Sequence, residues 1–328
     1  MIDALCPKGQ GAFLRRNRMI CKPIDVLTNY EIRKTKKQKS AFISAVSDYI
    51  RTQRYDVKIE KGSFGLRNIV VGDPEKAEYL VTAHYDTPAS IGLPNLITPC
   101  NPVTYFLFQF LIVGLLLGIS VSIAFAVKFL TNDTRFALLS WYIAYFGILG
   151  LMMFGPANRH NANDNTSGVV TVLEMMHSMP DNLRDKVCFV LFDLEEAGLV
   201  GSGSYRKLHK DAIERQIMLN LDCVGDGDVI QFAPVKNAKK DDAILKKLEG
   251  ICGKVGSKEL RLRARGFTVG PSDHKNFPNG IGIMAFRYQK GIGLYCGRIH
   301  TYRDTILDQT NVNILRAALI SLIGSADK

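Results

Sequence analysis

Two long apolar segments lie in the middle of the chain and restrict its fold more than any other feature. Residues 103–127 carry no charged side chain, and residues 136–157 carry none either. As helices they would be roughly 30–37 Å long, enough to cross a hydrocarbon core of about 30 Å. A soluble core helix rarely lacks charge on every face over this length. The sequence therefore predicts an inserted transmembrane hairpin with helices at about 103–127 and 136–157.

A buried hairpin or a dimerising lid in a soluble enzyme is the alternative to membrane insertion. The connecting turn, residues 128–135, is polar. Gly114 and Gly118 have the small-x-x-x-small spacing that lets apolar helices approach closely, and glycines in the second segment could serve the opposing helix. A homo-oligomer formed through these helices is therefore also an expectation.

The basic composition of the chain suggests an anionic partner but does not indicate nucleic acid. At 328 residues the chain can form one large α/β domain or two small ones, and its formal net charge is +11. No zinc-finger spacing, recognition helix or aromatic-interleaved basic strand accompanies this charge, so no nucleic-acid partner is expected. The run Lys34, Lys36, Lys37 and Lys39 is predicted to be the solvated face of a helix, with contact to a membrane surface as the alternative.

Cysteine usage and the N-terminal residues favour a cytoplasmic catalytic domain. The seven cysteines are scattered, odd in number and without a C-x-x-C pair, which indicates free thiols in a reducing compartment. Charged residues interrupt positions 1–22, so no secretory signal peptide is predicted. Lys128 and Arg135 in the short loop of the hairpin point to the opposite orientation.

Short apolar runs and longer helical patterns alternate along the rest of the chain. Strands are predicted at 68–71, 79–83, 187–192, 217–221, 229–232 and 283–288, and helices at 29–54, 167–178, 202–208, 241–252 and 311–323. Fully apolar strands between helices predict an α/β fold with a mainly parallel central sheet flanked by helices.

Five short motifs rich in acidic residues and histidine occur in a fixed order, most of them at predicted strand ends. Ligands bind beyond the carboxyl ends of strands in such sheets. Two zinc ions that share a carboxylate need about five His and Asp/Glu ligands, with a further carboxylate as base. The motifs are V-T-A-H-Y-D-T-P with His84 and Asp86, N-A-N-D-N-T-S-G with Asp164, F-D-L-E-E-A-G with Glu195 and Glu196, N-L-D-C-V-G with Asp222, and R-I-H-T-Y-R-D-T with His300.

Each of these residues also has an ordinary structural interpretation. His84 could be a core histidine, Asp164 could cap the helix that starts near Thr166, and adjacent acids are usually solvated. Glu195 and Glu196, however, follow the apolar run V-C-F-V-L-F, where exposure to bulk water is less expected. Taken together, the motifs favour a metal site.

The motifs, together with S-D-H-x-x-F at 272–277, resemble family 28 of the metallopeptidases, the co-catalytic zinc aminopeptidases of clan MH. The similarity covers roughly residues 25–100 and 158–325. It implies a zinc aminopeptidase/phosphorylase-hydrolase-like fold with a discontinuous catalytic domain, 1–102 and 158–328, interrupted by the hairpin at 103–157. It also implies an exopeptidase that removes N-terminal residues from peptides, and the predicted hairpin would anchor this enzyme to a membrane.

The resemblance implies a site with two zinc ions. Asp164 would bridge the two ions, His84 and Asp222 would complete one site, and Glu196 and His300 would complete the other. An oxygen-rich ligand set of this kind also accepts Mn²⁺ or Co²⁺.

The resemblance also implies that Glu195 is the general base, acting on a hydroxide that bridges the metals. Asp86, two residues beyond His84, is expected to hold the second ring nitrogen of that histidine. Asp273, His274 and Tyr302 are candidates to line the cleft.

Three rival functions share parts of this pattern. Glutaminyl cyclase-like transferases resemble the fold but use a single zinc ion, and the full ligand set favours a peptidase. Receptor-like relatives have lost their ligands, whereas no ligand position is vacant here. Amidohydrolases of the same clan usually carry their insertion nearer the C-terminus.

Overall fold

The computed structural model describes residues 19–90, 92–268, 270 and 272–325, which fold around one ten-stranded sheet. The strands are β1 Val57–Lys61, β2 Arg67–Val71, β3 Tyr79–His84, β4 Val187–Phe192, β5 Ile217–Leu221, β6 Val229–Pro234, β7 Gly253–Val255, β8 Lys258–Leu262, β9 Gly280–Gln289 and β10 Gly293–Tyr295. Their order is β1-β2-β4-β3-β5-β9-β6-β8-β7, and β10 pairs with β9.

The centre of this sheet is parallel and its flanks are mostly antiparallel. Strands β4, β3, β5 and β9 run in the same direction, and every side chain of β3 and β4 is buried. Antiparallel pairing joins β1 and β2 to one side of this centre and β6 to the other. The predicted α/β fold with a parallel central sheet is confirmed, and the antiparallel flanks make the whole sheet mixed.

Helices lie on both faces of the sheet or project from it. They are α1 Asp25–Asn29, α2 Lys36–Thr52, α3 Pro102–Thr131, α4 Thr134–Phe154, α5 Gly168–Ser178, α6 Val200–Leu208, α7 Asp242–Glu249 and α8 Gln309–Gly324. Helix α2 begins later than the predicted 29–54 because Thr35 and Gln38 form a capping box, in which each side chain binds the backbone of the other.

The predicted solvated lysine face is wrong at two positions. Lys39 is buried, and its ammonium lies 2.5 Å from Oδ1 of the buried Asp193. Lys34 precedes α2, and its Nζ donates to the carbonyl oxygen of Met153 at 3.3 Å. Lys36 and Lys37 are exposed, as predicted. The run therefore contains side chains with structural roles because polar partners from other elements reach it.

Helices α3 and α4 form an antiparallel hairpin whose turn is shorter than the predicted 128–135. Only Asn132 and Asp133 separate the helices, and Asp133 caps α4 by accepting from the amide of Arg135 at 2.7 Å. Most of the exposed large apolar side chains of the described residues lie on these two helices. Both are long and apolar enough to cross a membrane, by length and composition.

The glycines of the hairpin do not lie at the contact between its helices. No side chain and no atom of the opposing helix comes within 4 Å of the position that a Cβ would take at Gly114, Gly118, Gly147 or Gly150. The expectation that these glycines let α3 and α4 approach each other is therefore wrong.

One cysteine departs from the expectation of free thiols. Cys21 is disulfide-bonded, whereas the other cysteines in the described part of the chain are free. The absence of a signal peptide was predicted from residues 1–22, of which 1–18 lie outside the described residues.

The buried Lys39–Asp193 pair generates a stability prediction. We expect Lys39→Met to lower the free energy of unfolding by about 3–5 kcal/mol, because it leaves the Asp193 carboxylate buried without its cation. Unfolding of detergent-solubilised protein measures the change, and Lys37→Met at an exposed neighbour is the matched control. Equal loss in both variants would contradict a structural role for the pair.

Candidate metal centre

Three neighbouring parallel strands deliver most of the acidic and histidine motifs to one edge of the sheet. His84 is the last residue of β3, Asp222 directly follows β5, and Glu195 and Glu196 follow β4. Strand β3 lies between the other two and is parallel to both. Their carboxyl ends therefore meet, and the sheet alone brings these side chains together.

The fourth group, Asp164, arrives on a loop that is clamped to the loop carrying Asp222. The side chain of Asn165 donates to the carbonyl of Leu221 at 2.9 Å. Oδ1 of Asn163 accepts from the amide of Gly225 at 2.6 Å, and Oγ of Ser167 accepts from the amide of Val224 at 3.0 Å. The polar residues around Asp164 in the sequence N-D-N-T-S thus hold its carboxylate against the end of β5.

Asp164 lies between the two histidines, with one carboxylate oxygen directed to each. Its Oδ1 is 3.3 Å from Nε2 of His84, and its Oδ2 is 3.0 Å from Nε2 of His300. Candidate ligand atoms of His84, Asp164 and Asp222 lie within 4.8 Å of one another, and so do those of Asp164, Glu196 and His300. The result is two three-residue clusters that share one carboxylate.

The loop with the adjacent glutamates is held by Asp86. Its Oδ1 accepts from the amide of Glu195 at 3.0 Å, and its Oδ2 accepts from the amide of Glu196 at 3.2 Å. Nδ1 of His84 is 3.5 Å from Asp86, which is longer than a normal hydrogen bond. Asp86 therefore orients the glutamate loop more closely than it orients the imidazole.

Glu195 lies beside both clusters. One of its carboxylate oxygens is within 4.8 Å of candidate ligand atoms of His84 and Glu196. Glu195 is thus adjacent to the ligand groups without belonging to either of the clusters built around Asp164.

Burial and mutual repulsion perturb the titration of these groups. Burial raises the pKa of Glu196 to about 8 and that of Glu195 well above its usual range, and the charge of each neighbouring acid adds to the rise. Burial opposes ionisation of Asp164 too, but hydrogen bonds with His300 and His84 hold its pKa below the usual range. Burial also acts against the charged form of His300, whose pKa is nevertheless raised to about 9 by Glu196 and Asp164.

This arrangement of donors fits divalent cations. Among the described residues, Oε1 of Glu196 is buried without a hydrogen-bond partner, and Nε2 of His84 faces the carboxylates of Asp164 and Asp222. Crowded carboxylates with imidazole nitrogens are the ligand types that zinc and related ions accept, and a cation relieves their repulsion. The donor set and its excess of buried negative charge therefore suit a metal centre.

Two residues that support the loops of the site were not predicted from the sequence. Asp304 accepts from the amides of Asn163 and Asp164 at 2.7 and 3.0 Å, so it fixes the loop of the shared carboxylate. Arg33 is fully buried and donates to the carbonyl of Tyr85 and to Oγ1 of Thr166. Asp304 could have been found as the acidic residue of H-T-Y-R-D-T, whereas nothing in the local sequence singles out Arg33.

The three residues predicted to line the cleft occupy different environments. Asp273 and His274 are buried, and Tyr302, two residues beyond His300, is largely exposed. Burial raises the pKa of Asp273 to about 7 and lowers that of His274 to about 3. His274 packs against Gly282 and borders a small cavity that Thr268 and Met284 also line.

Comparison with known proteins identifies a family and a fold. The sequence profile described as Peptidase family M28 matches residues 149–322, just over half of the chain. A search of curated protein sequences found no match.

Similar solved structures include both cyclases and aminopeptidases. A glutaminyl cyclase from Porphyromonas gingivalis has a TM-score of 0.56 and 16% identity, over 92% of this chain and 94% of that chain. A leucine aminopeptidase precursor from Bacteroides thetaiotaomicron has a TM-score of 0.54 and 14% identity, over 92% and 94%. The LapA aminopeptidase of Legionella pneumophila has a TM-score of 0.53 and 13% identity, over 92% and 69%. These likenesses show the fold.

The contacts of Asp304 predict an effect on metal affinity. We expect Asp304→Asn to weaken zinc binding by about 10–100-fold, because the two amides that position Asp164 lose their carboxylate acceptor. Competition with a chelating dye measures the affinity, and Asp211→Asn at an exposed position is the control. Unchanged zinc affinity in Asp304→Asn would show that this loop needs no such support.

Proposed function

Because the chain belongs to peptidase family M28, we propose that it is a membrane-anchored di-zinc aminopeptidase that hydrolyses N-terminal residues from peptides. The proposal depends most on the position of Asp164, whose two carboxylate oxygens are each directed to a different histidine. A single metal would need only one of these oxygens. A pair of ions needs both.

Five side chains would hold the metals. His84 and Asp222 would complete one site and Glu196 and His300 the other, with Asp164 shared between them. When bound, the two ions would lower the pKa of a shared water and polarise the scissile carbonyl. Zinc is the first candidate metal because of the family, and Mn²⁺ or Co²⁺ could replace it.

Glu195 is proposed as the general base. Its carboxylate lies beside the ligands of both sites and can take a proton from the attacking water and return it to the departing amine. Asp86 acts as a positioning residue by binding the amides of Glu195 and Glu196.

A glutaminyl cyclase-like transferase is the second candidate, because glutaminyl cyclases are among the structures with this fold. The two clusters around Asp164 favour the di-metal hydrolase. Assays of aminoacyl-anilide hydrolysis and of N-terminal glutamine cyclisation on the same detergent-purified protein separate the two.

The proposed domain organisation places the hairpin as an insertion in the catalytic domain. Residues 1–102 and 158–328 would form that domain, and 103–157 would cross the bilayer twice. Helices α3 and α4 support this through their length and the exposure of their apolar side chains. Two crossings return the chain to the side on which His84 lies, which the shared metal centre requires.

The metal clusters predict a stoichiometry. We expect metal-saturated protein to contain two zinc ions per chain and Asp164→Ala to lose both, because Asp164 belongs to both clusters. Elemental analysis measures the content. Hydrolysis of the anilide panel should stop with a chelator and resume with zinc. A wild-type content of one zinc or less would contradict the di-zinc proposal and favour the cyclase-like candidate.

The position of Glu195 predicts a kinetic effect. We expect Glu195→Gln to retain both metals and the fold but to lower kcat by about 10²–10⁴-fold, because the amide keeps the shape and cannot take the proton. Turnover and zinc content are measured on the same preparation, with Glu214→Gln at an exposed position as control. Near-normal turnover with zinc bound would exclude Glu195 as the base.

The hairpin predicts membrane association. We expect full-length protein to need detergent for extraction from membranes, whereas protein lacking residues 103–157 should not, because the exposed apolar surface lies on α3 and α4. Fractionation of both proteins tests this. Equal solubility without detergent would contradict the membrane proposal.

We propose that the catalytic domain lies on the cytoplasmic side, although Lys128 and Arg135 at the hairpin turn favour the opposite orientation. Protease access to the Asn132 turn decides the orientation. Cleavage in intact cells supports it, and cleavage only after permeabilisation reverses it.

A further inference from the structure

The base of the hairpin lies at the same edge of the sheet as the metal centre. The chain leaves β3 at His84 to reach α3, and it returns from α4 to the loop of Asp164. The two connecting segments, 88–90 and 156–158, pair side by side and are called the neck here. The amide of Ser90 donates to the carbonyl of Pro156 at 2.8 Å, and the amide of Asn158 donates to that of Pro88 at 2.9 Å.

The neck and the last turn of α4 contact the surroundings of the metal ligands. The side chain of Asn158 donates to the carbonyl of Thr301, the residue after His300, at 2.9 Å. Lys34 donates from Nζ to the carbonyl of Met153, in the last turn of α4, at 3.3 Å. Lys34 directly follows Arg33, which binds Oγ1 of Thr166 in the loop of Asp164, so the end of α4 is joined to the residues that support the site.

The length of α4 leaves little room between the bilayer and the site. Its 21 residues span roughly 32 Å, close to the thickness of a hydrocarbon core of about 30 Å. If α4 crosses the bilayer, nearly all of it is needed for the crossing. Its last turn, and the ligands beside it, must then lie at the membrane surface.

Helix α3 is longer and carries its apolar surface past the end of α4. It has 30 residues and is joined to α4 by a two-residue turn, so its first two turns, 102–110, extend beyond Phe154 by roughly 14 Å. The turns 102–110 are called the overhang here. The side chains of Val103, Leu107 and Phe110 in the overhang are each at least 64% exposed.

The overhang contacts the segment that leads to the small cavity beside His274. The ring of Phe106 is 6.0 Å from that of Phe267, and Thr268, the next residue, lines the small cavity beside His274. An apolar surface held above the bilayer next to an active site is costly in water and marks a site of interaction.

We propose that the active site opens at the bilayer surface and acts on membrane-anchored peptides, whose N-terminal residue lies only a few residues from an apolar segment in the bilayer. The overhang guides that apolar segment to the cleft. The proposal rests on the aminopeptidase function proposed above and specifies its substrate class.

A spacer series in proteoliposomes tests the substrate class. Full-length protein in phosphatidylcholine–phosphatidylglycerol vesicles receives peptides with one N-terminal sequence, attached to a membrane-spanning anchor through spacers of about 4 or about 25 residues, which reach at most about 14 or 85 Å. An unanchored version is the third substrate. We expect the short-spacer peptide to be cleaved within about threefold of the long-spacer peptide, and both faster than the soluble one. Cleavage of only the long-spacer and soluble peptides would overturn the proposal.

A variant of the overhang tests whether this surface guides the anchored peptide to the active site, or whether the enzyme and the peptide merely share a membrane. We expect Leu107→Ser to lower the ratio of anchored to soluble peptide cleavage by about tenfold, because the apolar contact is lost. Leu130→Ser, at an exposed leucine at the far end of α3, is the matched control and should leave the ratio unchanged. Equal ratios in both variants would overturn the role of the overhang.

A depth measurement reports on the site without catalysis. Trp141 is the one tryptophan of the chain, so Trp141→Phe allows a single reporter to be introduced elsewhere. With Tyr302→Trp beside His300 we expect quenching by lipids that carry a headgroup quencher. With Leu208→Trp we expect no quenching. Leu208 is the exposed last residue of α6, and the chain goes from there to the start of β5, at the end opposite to Asp222. Equal quenching at the two positions would overturn the placement. Quenching at Tyr302→Trp, together with no cleavage of any peptide by the unsubstituted protein, would instead reject the aminopeptidase function and, with it, the substrate class.

Discussion

The rest of the structure depends on the crowding of buried negative charge at one edge of the sheet. Parallel strands β3, β4 and β5 end side by side, and each carries ionisable residues at or just after its end. A fold cannot hold several carboxylates in a buried group unless backbone amides, histidines or cations compensate them. Two carboxylates receive that compensation from amides: Asp304 binds the loop of Asp164, and Asp86 binds the loop of Glu195. These fixed loops leave the remaining lone pairs directed at one another, which is the condition under which a divalent cation is bound.

The parts of this fold that sequence could predict are those that repeat a strong local pattern. Continuous apolar runs located β3, β4 and β5, and the motifs at their ends located the acidic residues. Strand β1, V-K-I-E-K, was missed because it lies at the edge of the sheet and alternates charged with apolar side chains. Strand β7 was missed because it has three residues, all exposed. Such strands are defined by the partner on which they pair rather than by their own composition.

In the candidate site, too, the residues in strong local motifs could be predicted and those that depend on distant partners could not. His84, Asp164, Glu196, Asp222 and His300 were chosen from motifs, and the structure brings them into two clusters that share Asp164. The roles of Lys39, Arg33 and Asp304 could not be read from their neighbours in sequence, because their partners are far away in the chain. Lys39 finds Asp193 and Arg33 finds Thr166 only once the sheet has formed. Tertiary packing determines such long-range polar pairs. A basic run in the sequence is therefore predicted to be solvated even where residues from distant elements bury some of its side chains.

The two-residue turn between α3 and α4 has a consequence for how the protein is made. On the proposed membrane arrangement, His84 leaves the ribosome with the first half of the centre, and Asp164 follows only after both helices have been synthesised. A chain that inserted one helix and not the other would leave these halves in different compartments, where no later folding could reunite them. The short turn makes such single insertion difficult, because Asn132 and Asp133 cannot extend far from the ends of the helices they join. Errors of topology would thus produce an inert chain and not a misplaced hydrolase, so biosynthesis itself confines activity to correctly inserted molecules.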